Sequence, residues 1–294
     1  MVRYIKKYTS LVVFAHTVFA LPFALIACAM AYISAPPERP LLLLLQVLGC
    51  MVTARNSAMS FNRYVDRHLD AQNERTKGRE LPSGTLSPTS VLVFFTVNVF
   101  LFLLCSWSIS SRCLYLASPA LVILCGYSFT KRFTWLCHFV LGLALSMAPA
   151  GAFIAVTGTI TLPICWLSLM VALWVSGFDM IYALTDENHD RLYHVHAVPA
   201  KFGQKKALWI SGGVHLMVLP AMCGFGITAQ LHVGYWMAVL IFTCLLIYQH
   251  AIVKVNNISR VNMAFFTVNG WASILFAALT IWDLLQVPNA SFFW

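Results

Sequence analysis

Residues 41–70 read LLLLLQVLGCMVTARNSAMSFNRYVDRHLD. The apolar run 41–59 is long enough to cross the hydrocarbon core of a bilayer, about 30 Å thick. Directly after it come Asn62, Asp66 and Asp70, spaced i, i+4 and i+8. On a helix they form one stripe, drifting by about 40° per step. Carboxylates four residues apart repel, so local helix physics does not favour this pattern. A charge at the bilayer centre costs about 2.5–3.5 kcal/mol, so acids beside a spanning run need a partner or a task.

The rest of the chain matches that membrane setting. It has 294 residues, is 60% hydrophobic and 10% charged, with mean hydropathy +0.78. A soluble domain is about 45–50% apolar and about 25% charged. Runs that can span a bilayer fall near 11–33, 41–59, 90–109, 112–129, 136–157, 163–184, 207–228, 232–252 and 264–286. The expected fold is all-α, a polytopic membrane protein of nine transmembrane helices, with 1–294 forming one integral-membrane domain. The first run continues without a small-residue cleavage site, so it reads as a retained helix.

The net charge of +9 does not imply nucleic-acid binding. Of the 19 Lys and Arg residues, 17 fall at the N-terminus or in and beside alternate loops; only Arg39 and Arg112 fall on the other side. The positive-inside rule places the N-terminus and those loops in the cytoplasm. The nine cysteines lie almost all within apolar runs and form no CxxC. They read as reduced packing residues rather than a disulfide or thiolate-metal framework.

A second acidic motif, Asp179-x6-Asp186-x3-Asp190, falls on the same side as the first. Asp186 and Asp190 are again four apart, and an unbroken helix would put Asp179 two turns back on their face. One such ladder could be a water-exposed acidic face. Two, each beside a basic cluster, point to divalent cations held by oxygen ligands. Mg²⁺ suits them, since it takes one or two carboxylates and completes its shell with water and phosphate. Asn62, Asp66, Asp70, Asp186 and Asp190 are the candidate ligands. Arg63, Arg75 and Arg79 flank the first ladder, and Lys131 follows Tyr127 at the end of the fourth run. Arg and Lys are phosphate-binding groups, so acids, Mg²⁺ and bases together describe a diphosphate site. Its position over an apolar bundle implies a ligand with an anionic head and a long apolar tail, such as a polyprenyl diphosphate. His16, in the first run, is a candidate by virtue of its apolar setting. His189, His194 and His196 read as loop residues.

At these residues the chain resembles the UbiA superfamily of intramembrane aromatic prenyltransferases, over nearly its whole length. Asn62 to Asp70, then Asn73, Arg75-Thr76, Arg79 and Leu81-Pro82-Ser83-Gly84, resemble the family's first Asp-rich motif and its trailing loop. Gly177-Phe178-Asp179-Met180-Ile181-Tyr182-Ala183-Leu184-Thr185-Asp186-Glu187-Asn188-His189-Asp190 resembles the second. Tyr127 to Thr134 resembles the cytosolic loop after helix 4, whose Lys is implicated in diphosphate binding. His16-Thr17 with Phe19 to Phe23 resembles the first helix. Glu74 and Ala197 depart from the usual pattern, and neither is an expected metal ligand.

The resemblance implies nine helices round a central cavity, Mg²⁺ dependence and a lateral opening for a lipid tail. The resemblance is nearest to the 4-hydroxybenzoate polyprenyltransferases, with features of the branch linked to menaquinone made through futalosine, whose acceptor is a naphthoic acid derivative. The implied reaction joins a polyprenyl diphosphate to an aromatic carboxylic acid for quinone biosynthesis. Asp66, Asp179 and Asp190 are the expected catalytic acids; Arg63, Lys131, Tyr127, Arg75, Arg79, Tyr182 and His16 the expected substrate contacts. The expected partners are these substrates and the bilayer of a bacterial-type inner membrane, with no obligate protein partner evident. Haem, chlorophyllide or a glycerol-phosphate lipid as acceptor would keep the fold. A cation-coupled transporter would place charges at the bilayer midplane, whereas these acids cluster at one edge.

Overall fold

The computed structural model describes residues 2–12, 19–255 and 257–286, and they are helical with no strand among them. The helices are α1 (Val2–Leu11), α2 (Leu21–Ser34), α3 (Pro40–Gln72), α4 (Pro88–Ile109), α5 (Ser111–Thr130) and α6 (Cys137–Thr157). They continue with α7 (Leu162–Tyr182), α8 (Glu187–Leu192), α9 (Val198–Leu216), α10 (Val218–Thr228), α11 (Val233–Ile252) and α12 (Asn269–Leu285). A 3₁₀ turn, Ala183–Asp186, joins α7 to α8, and a π-helical turn, Met263–Val268, precedes α12.

Eight helical runs among the described residues are long and apolar enough to cross a membrane, and α2 is a shorter apolar helix. These nine match the nine runs read from the sequence, with three changes of extent. The run 11–33 corresponds to α2 only from Leu21, and Leu11 belongs to α1. The run 41–59 is only the apolar part of α3, whose 33 residues form one helix. At 1.5 Å per residue α3 is about 50 Å long, so its last turns project beyond a hydrocarbon core of about 30 Å. The run 207–228 starts earlier, at Val198, and turns at Met217 between α9 and α10. His16 and Thr17 lie outside the described residues.

The centre of the bundle is α7. In its spanning window 61% of residues are buried, against 17% in α4 and 11% in α5. Trp174 and Phe178 of α7 pack with Phe19, Phe23, Phe242 and Phe265. Phe100, Leu104 and Trp107 of α4 instead lie exposed, as suits a lipid-facing surface. Polar pairs hold α4 to α3: Asn56 Nδ2 donates to Asn98 Oδ1 at 3.0 Å, and Gln46 Nε2 donates to Ser108 Oγ at 3.0 Å. In an apolar surround such bonds have no competing water.

Between α3 and α4 the chain forms an ordered cap of turns, as its Gly and Pro content suggests. Thr76 Oγ1 donates to the Asp70 carbonyl at 2.9 Å, and Gly84 turns the chain with φ 71°. At the opposite end of the bundle, Asp283 of α12 accepts the His232 and Gly234 N–H groups at 2.7 and 2.9 Å. It thereby caps the start of α11, where unpaired N–H groups favour an anion.

Helices α6 and α7 approach closely at Gly142. A Cβ there would lie 2.2 Å from the Ala172 carbonyl oxygen and 2.3 Å from Ser176 Oγ. Gly142→Val should therefore push the two helices apart at a cost of about 1–3 kcal/mol, read as a lower thermal unfolding temperature of the purified protein. Gly151, which has nothing within 4 Å of such a Cβ, is the control, and Gly151→Ala should unfold no earlier than the parent.

Candidate active site

The projecting end of α3 carries the first acidic stripe. Asp66 is 1% exposed and Asp70 is 7% exposed. Asn62 Nδ2 donates to Asp66 Oδ2 at 3.0 Å and to Ser128 Oγ of α5 at 3.3 Å. The same Asp66 oxygen lies 2.6 Å from Lys131 Nζ, just past the end of α5. Asp70 Oδ1 pairs with Arg79 at 2.7 Å, and Arg79 comes from the turn-rich cap. Each buried acid is thus matched by a base from a neighbouring segment. A buried carboxylate needs such a match.

The second motif is not one continuous ladder. α7 ends at Tyr182, and the 3₁₀ turn winds by about 120° per residue rather than 100°. The expected common face of Asp179 and Asp186 is therefore absent, and the two acids have separate partners. Asp179 Oδ2 meets His138 Nδ1 at 2.7 Å. Asp186 is bound by Asn73 Nδ2 at 2.8 Å and by both Nε (2.9 Å) and Nη2 of Arg75. Asp190 lies beside His189 Nδ1 at 3.4 Å and within the field of Asp186 and Lys131.

These contacts join the two motifs. Asn73 and Arg75, which trail the first, grip Asp186 of the second. Lys131 pairs with Asp66 and acts electrostatically on Asp190. Its own carbonyl accepts the His196 N–H at 2.6 Å, which ties the segment after α8 to the end of α5. Burial opposes the Arg75 charge, but its bonds and attraction to Asp186 outweigh that and raise its pKa above the ordinary value. Arg75 Nη1 also donates to Tyr182 Oη at 2.8 Å, and the Tyr182 ring stacks on Phe265 at 4.1 Å between centroids. The polar site thus passes directly into the aromatic core, through Phe265 to Phe178 and Trp174.

Of the residues singled out from sequence, Asn62, Asp66 and Lys131 form one bonded group, Asp70 and Arg79 a second, and Asp186, Arg75 and Tyr182 a third, with Asp190 in the field of Asp186 and Lys131. Tyr127 lies in the field of Asp66, Arg63 and Asp179. Arg63 is buried and turns toward α1, where its Nε donates to the Leu11 carbonyl at 3.5 Å. Three participants lay outside that set: Asn73, Ser128 and His138. For His138 the available signal was a histidine at the head of the apolar run 136–157.

The donor set fits a hard divalent cation. Asp66 Oδ1 and Asp70 Oδ2 are buried with no hydrogen-bond partner, and Arg132 Nη2 lies 3.6 Å from Asp66 Oδ1. A buried carboxylate oxygen left unmet is costly, and a cation would meet it. Among the described residues no three His, Cys, Asp or Glu side chains already converge on one point. Mg²⁺ takes one or two carboxylates when water and phosphate complete its shell.

Residues 20–282 match the UbiA prenyltransferase family. The 4-hydroxybenzoate octaprenyltransferase of Tolumonas auensis is 31% identical over 240 residues, covering 82% of this chain and 83% of that one. The protein of the same name from Aliivibrio fischeri is 30% identical over 244 residues, 83% of this chain and 84% of its own. The apo structure of a UbiA homologue from Aeropyrum pernix superposes with TM-score 0.82 at 25% identity, over 91% of this chain and 98% of that one. A UbiA homologue from Archaeoglobus fulgidus, bound to DMAPP and Mg²⁺, shares the fold with TM-score 0.72 at 16% identity, over 96% and 100% of the two chains. The chain belongs to the UbiA prenyltransferase family and is a membrane-embedded prenyltransferase.

Proposed function

We propose that this enzyme transfers a polyprenyl group from a polyprenyl diphosphate to an aromatic carboxylic acid of the 4-hydroxybenzoate type, with Mg²⁺, in quinone biosynthesis. The observation that carries this reading is the grip of Asn73 and Arg75, which trail the first Asp-rich motif, on Asp186 of the second, beside an aromatic core that Tyr182 joins through Phe265. The relatives named 4-hydroxybenzoate octaprenyltransferase support the acceptor class. The excess of Lys and Arg in these loops supports a site on the cytoplasmic side, with the N-terminus on the same side, and the bacterial relatives support an inner-membrane location.

Asn62, Asp66, Asp70, Asp186 and Asp190 would hold Mg²⁺. When bound, it supplies positive charge to the departing diphosphate. Lys131, Arg75 and Arg79 now sit on carboxylates. With a cation held by the acids, these donors would be available to the diphosphate oxygens, and Arg63 lies within the field of Asp70. The bond between prenyl C1 and oxygen breaks, its electron pair leaving with the diphosphate. A ring carbon of the aromatic acid bonds to C1, and the displaced ring hydrogen leaves as a proton to a carboxylate or the diphosphate. Tyr127 and Tyr182 line the reacting region, and the rings beneath Tyr182 accept the apolar chain. The faces of such rings favour a developing cation.

Membranes containing the protein, given labelled prenyl diphosphate, Mg²⁺ and 4-hydroxybenzoate, should yield a prenylated acid. Asp66→Asn and Asp190→Asn should each reduce turnover by at least about 10²-fold while the protein stays inserted; retained activity in either would contradict the paired-motif site. Removing Mg²⁺ with a chelator should stop turnover reversibly. Lys131→Ala leaves Asp66 without its closest counter-charge and should cost about 1–3 kcal/mol of stability. Adding Asp66→Asn should restore part of it, read from the unfolding temperatures of both single variants and the double.

A further inference from the structure

His138 takes no part in the reaction described above, yet it is held as firmly as any residue at the site. It is 2% exposed, in the first turn of α6. Both ring nitrogens are engaged. Nε2 accepts the backbone N–H of Val198, at the start of α9, at 3.2 Å. A nitrogen that accepts an N–H carries no proton, so in a neutral ring the proton sits on Nδ1. Nδ1 then donates to Asp179 Oδ2 at 2.7 Å. The Val198 N–H therefore selects the tautomer, and the tautomer fixes the orientation of Asp179. The close α6–α7 approach at Gly142, one turn along α6, sets the spacing that makes this bond.

Asp179 itself is not sealed. Its side chain keeps 23% of its surface accessible, while His138 has 3%. It lies in the field of Tyr127. One turn further along α7, Tyr182 bonds Arg75 of the diphosphate cluster. Asp179 thus stands between the charged cluster and the aromatic core, with one oxygen held. A carboxylate aimed by a buried histidine reverses the usual order, in which an acid aims a histidine, but the logic of an orienting partner is the same.

We infer that His138 is a positioning residue that holds Asp179 with its free oxygen toward the hydroxyl of a phenolic acid acceptor. This rests on the prenyl-transfer reading and assigns the acceptor side of the site to the His138–Asp179 pair, apart from the diphosphate side. A carboxylate that only accepts needs an O–H or N–H donor opposite it, and the acid of the proposed function supplies its phenolic O–H.

The two ring bonds can be separated by substitution. His138→Asn puts an amide N–H near the Nδ1 position, keeping the donor to Asp179 and losing the acceptor for Val198. His138→Gln puts an amide oxygen near the Nε2 position, keeping the Val198 bond and losing the donor to Asp179. Each variant retains one of the two bonds, so each controls for the folding of the other. Purified variants are assayed with prenyl diphosphate, Mg²⁺ and 4-hydroxybenzoate, with kcat and the KM of each substrate measured separately. His138→Gln and His138→Ala should lose about 10–100-fold in kcat/KM for the acid, with KM for prenyl diphosphate unchanged, and His138→Asn should keep most of the activity. A Gln variant more active than Asn would assign His138 to docking α9 and overturn the inference, as would full activity in Ala. A parent protein that transfers nothing to any phenolic acid would instead remove the prenyl-transfer reading beneath it.

Discussion

Asp66 lies 1% exposed with Lys131 Nζ 2.6 Å from one oxygen, and the site is arranged round that pair. A lone carboxylate at that depth would not stay ionised or would not stay buried. The end of α5 must therefore come to α3 to bring Lys131 there. The same requirement draws Arg79 to Asp70 and Arg75 to Asp186, which folds the turn-rich cap over the mouth. Such pairs contribute little net stability, because desolvation offsets much of the attraction. They do bring positive donors and hard oxygen ligands within a few ångströms of one another. A Mg²⁺–diphosphate complex needs both kinds of group, and it can take each from its present partner without leaving a bare charge.

The carboxylate oxygens left without a hydrogen bond sharpen this view. Asp66 Oδ1 and Asp70 Oδ2 have no hydrogen bond although both are buried. They lie on consecutive turns of α3, one side of a stripe that like-charge repulsion alone would disfavour. With the pairs made, the charge of each acid is balanced but its coordination is not. The acid stripe stands beyond the bilayer core because α3 outruns it, so the cost of an intramembrane charge falls away.

Much of this is readable from sequence, for identifiable reasons. The first stripe follows from i, i+4 spacing because α3 is unbroken through Gln72. The bundle follows from hydropathy, although hydropathy reports only the apolar part of α3 and so ends it at 59. The second motif misleads because regular helical periodicity was extended through Ala183–Asp186, which winds as a 3₁₀ turn. The pairing of Asn73 and Arg75 with Asp186 spans more than a hundred residues of chain, and no local pattern announces it. His138 carries its signal only as a polar residue in an apolar run, and its partner Asp179 is far away in sequence. What local periodicity and burial dictate is legible; what depends on which helix packs beside which is not.

The central claim is that both Asp-rich motifs form one cation–diphosphate clamp whose acids are balanced by bases until the ligand arrives. Calorimetric titration of the purified protein with Mg²⁺, in the absence and presence of inorganic diphosphate, tests it directly. A single clamp requires Mg²⁺ to bind weakly alone and more tightly with diphosphate, by the same factor that Mg²⁺ tightens diphosphate. It also requires Asp70→Asn in the first motif and Asp186→Asn in the second to remove that coupling alike. Mg²⁺ binding of equal strength with and without diphosphate, or coupling that survives the loss of either acid, would contradict it.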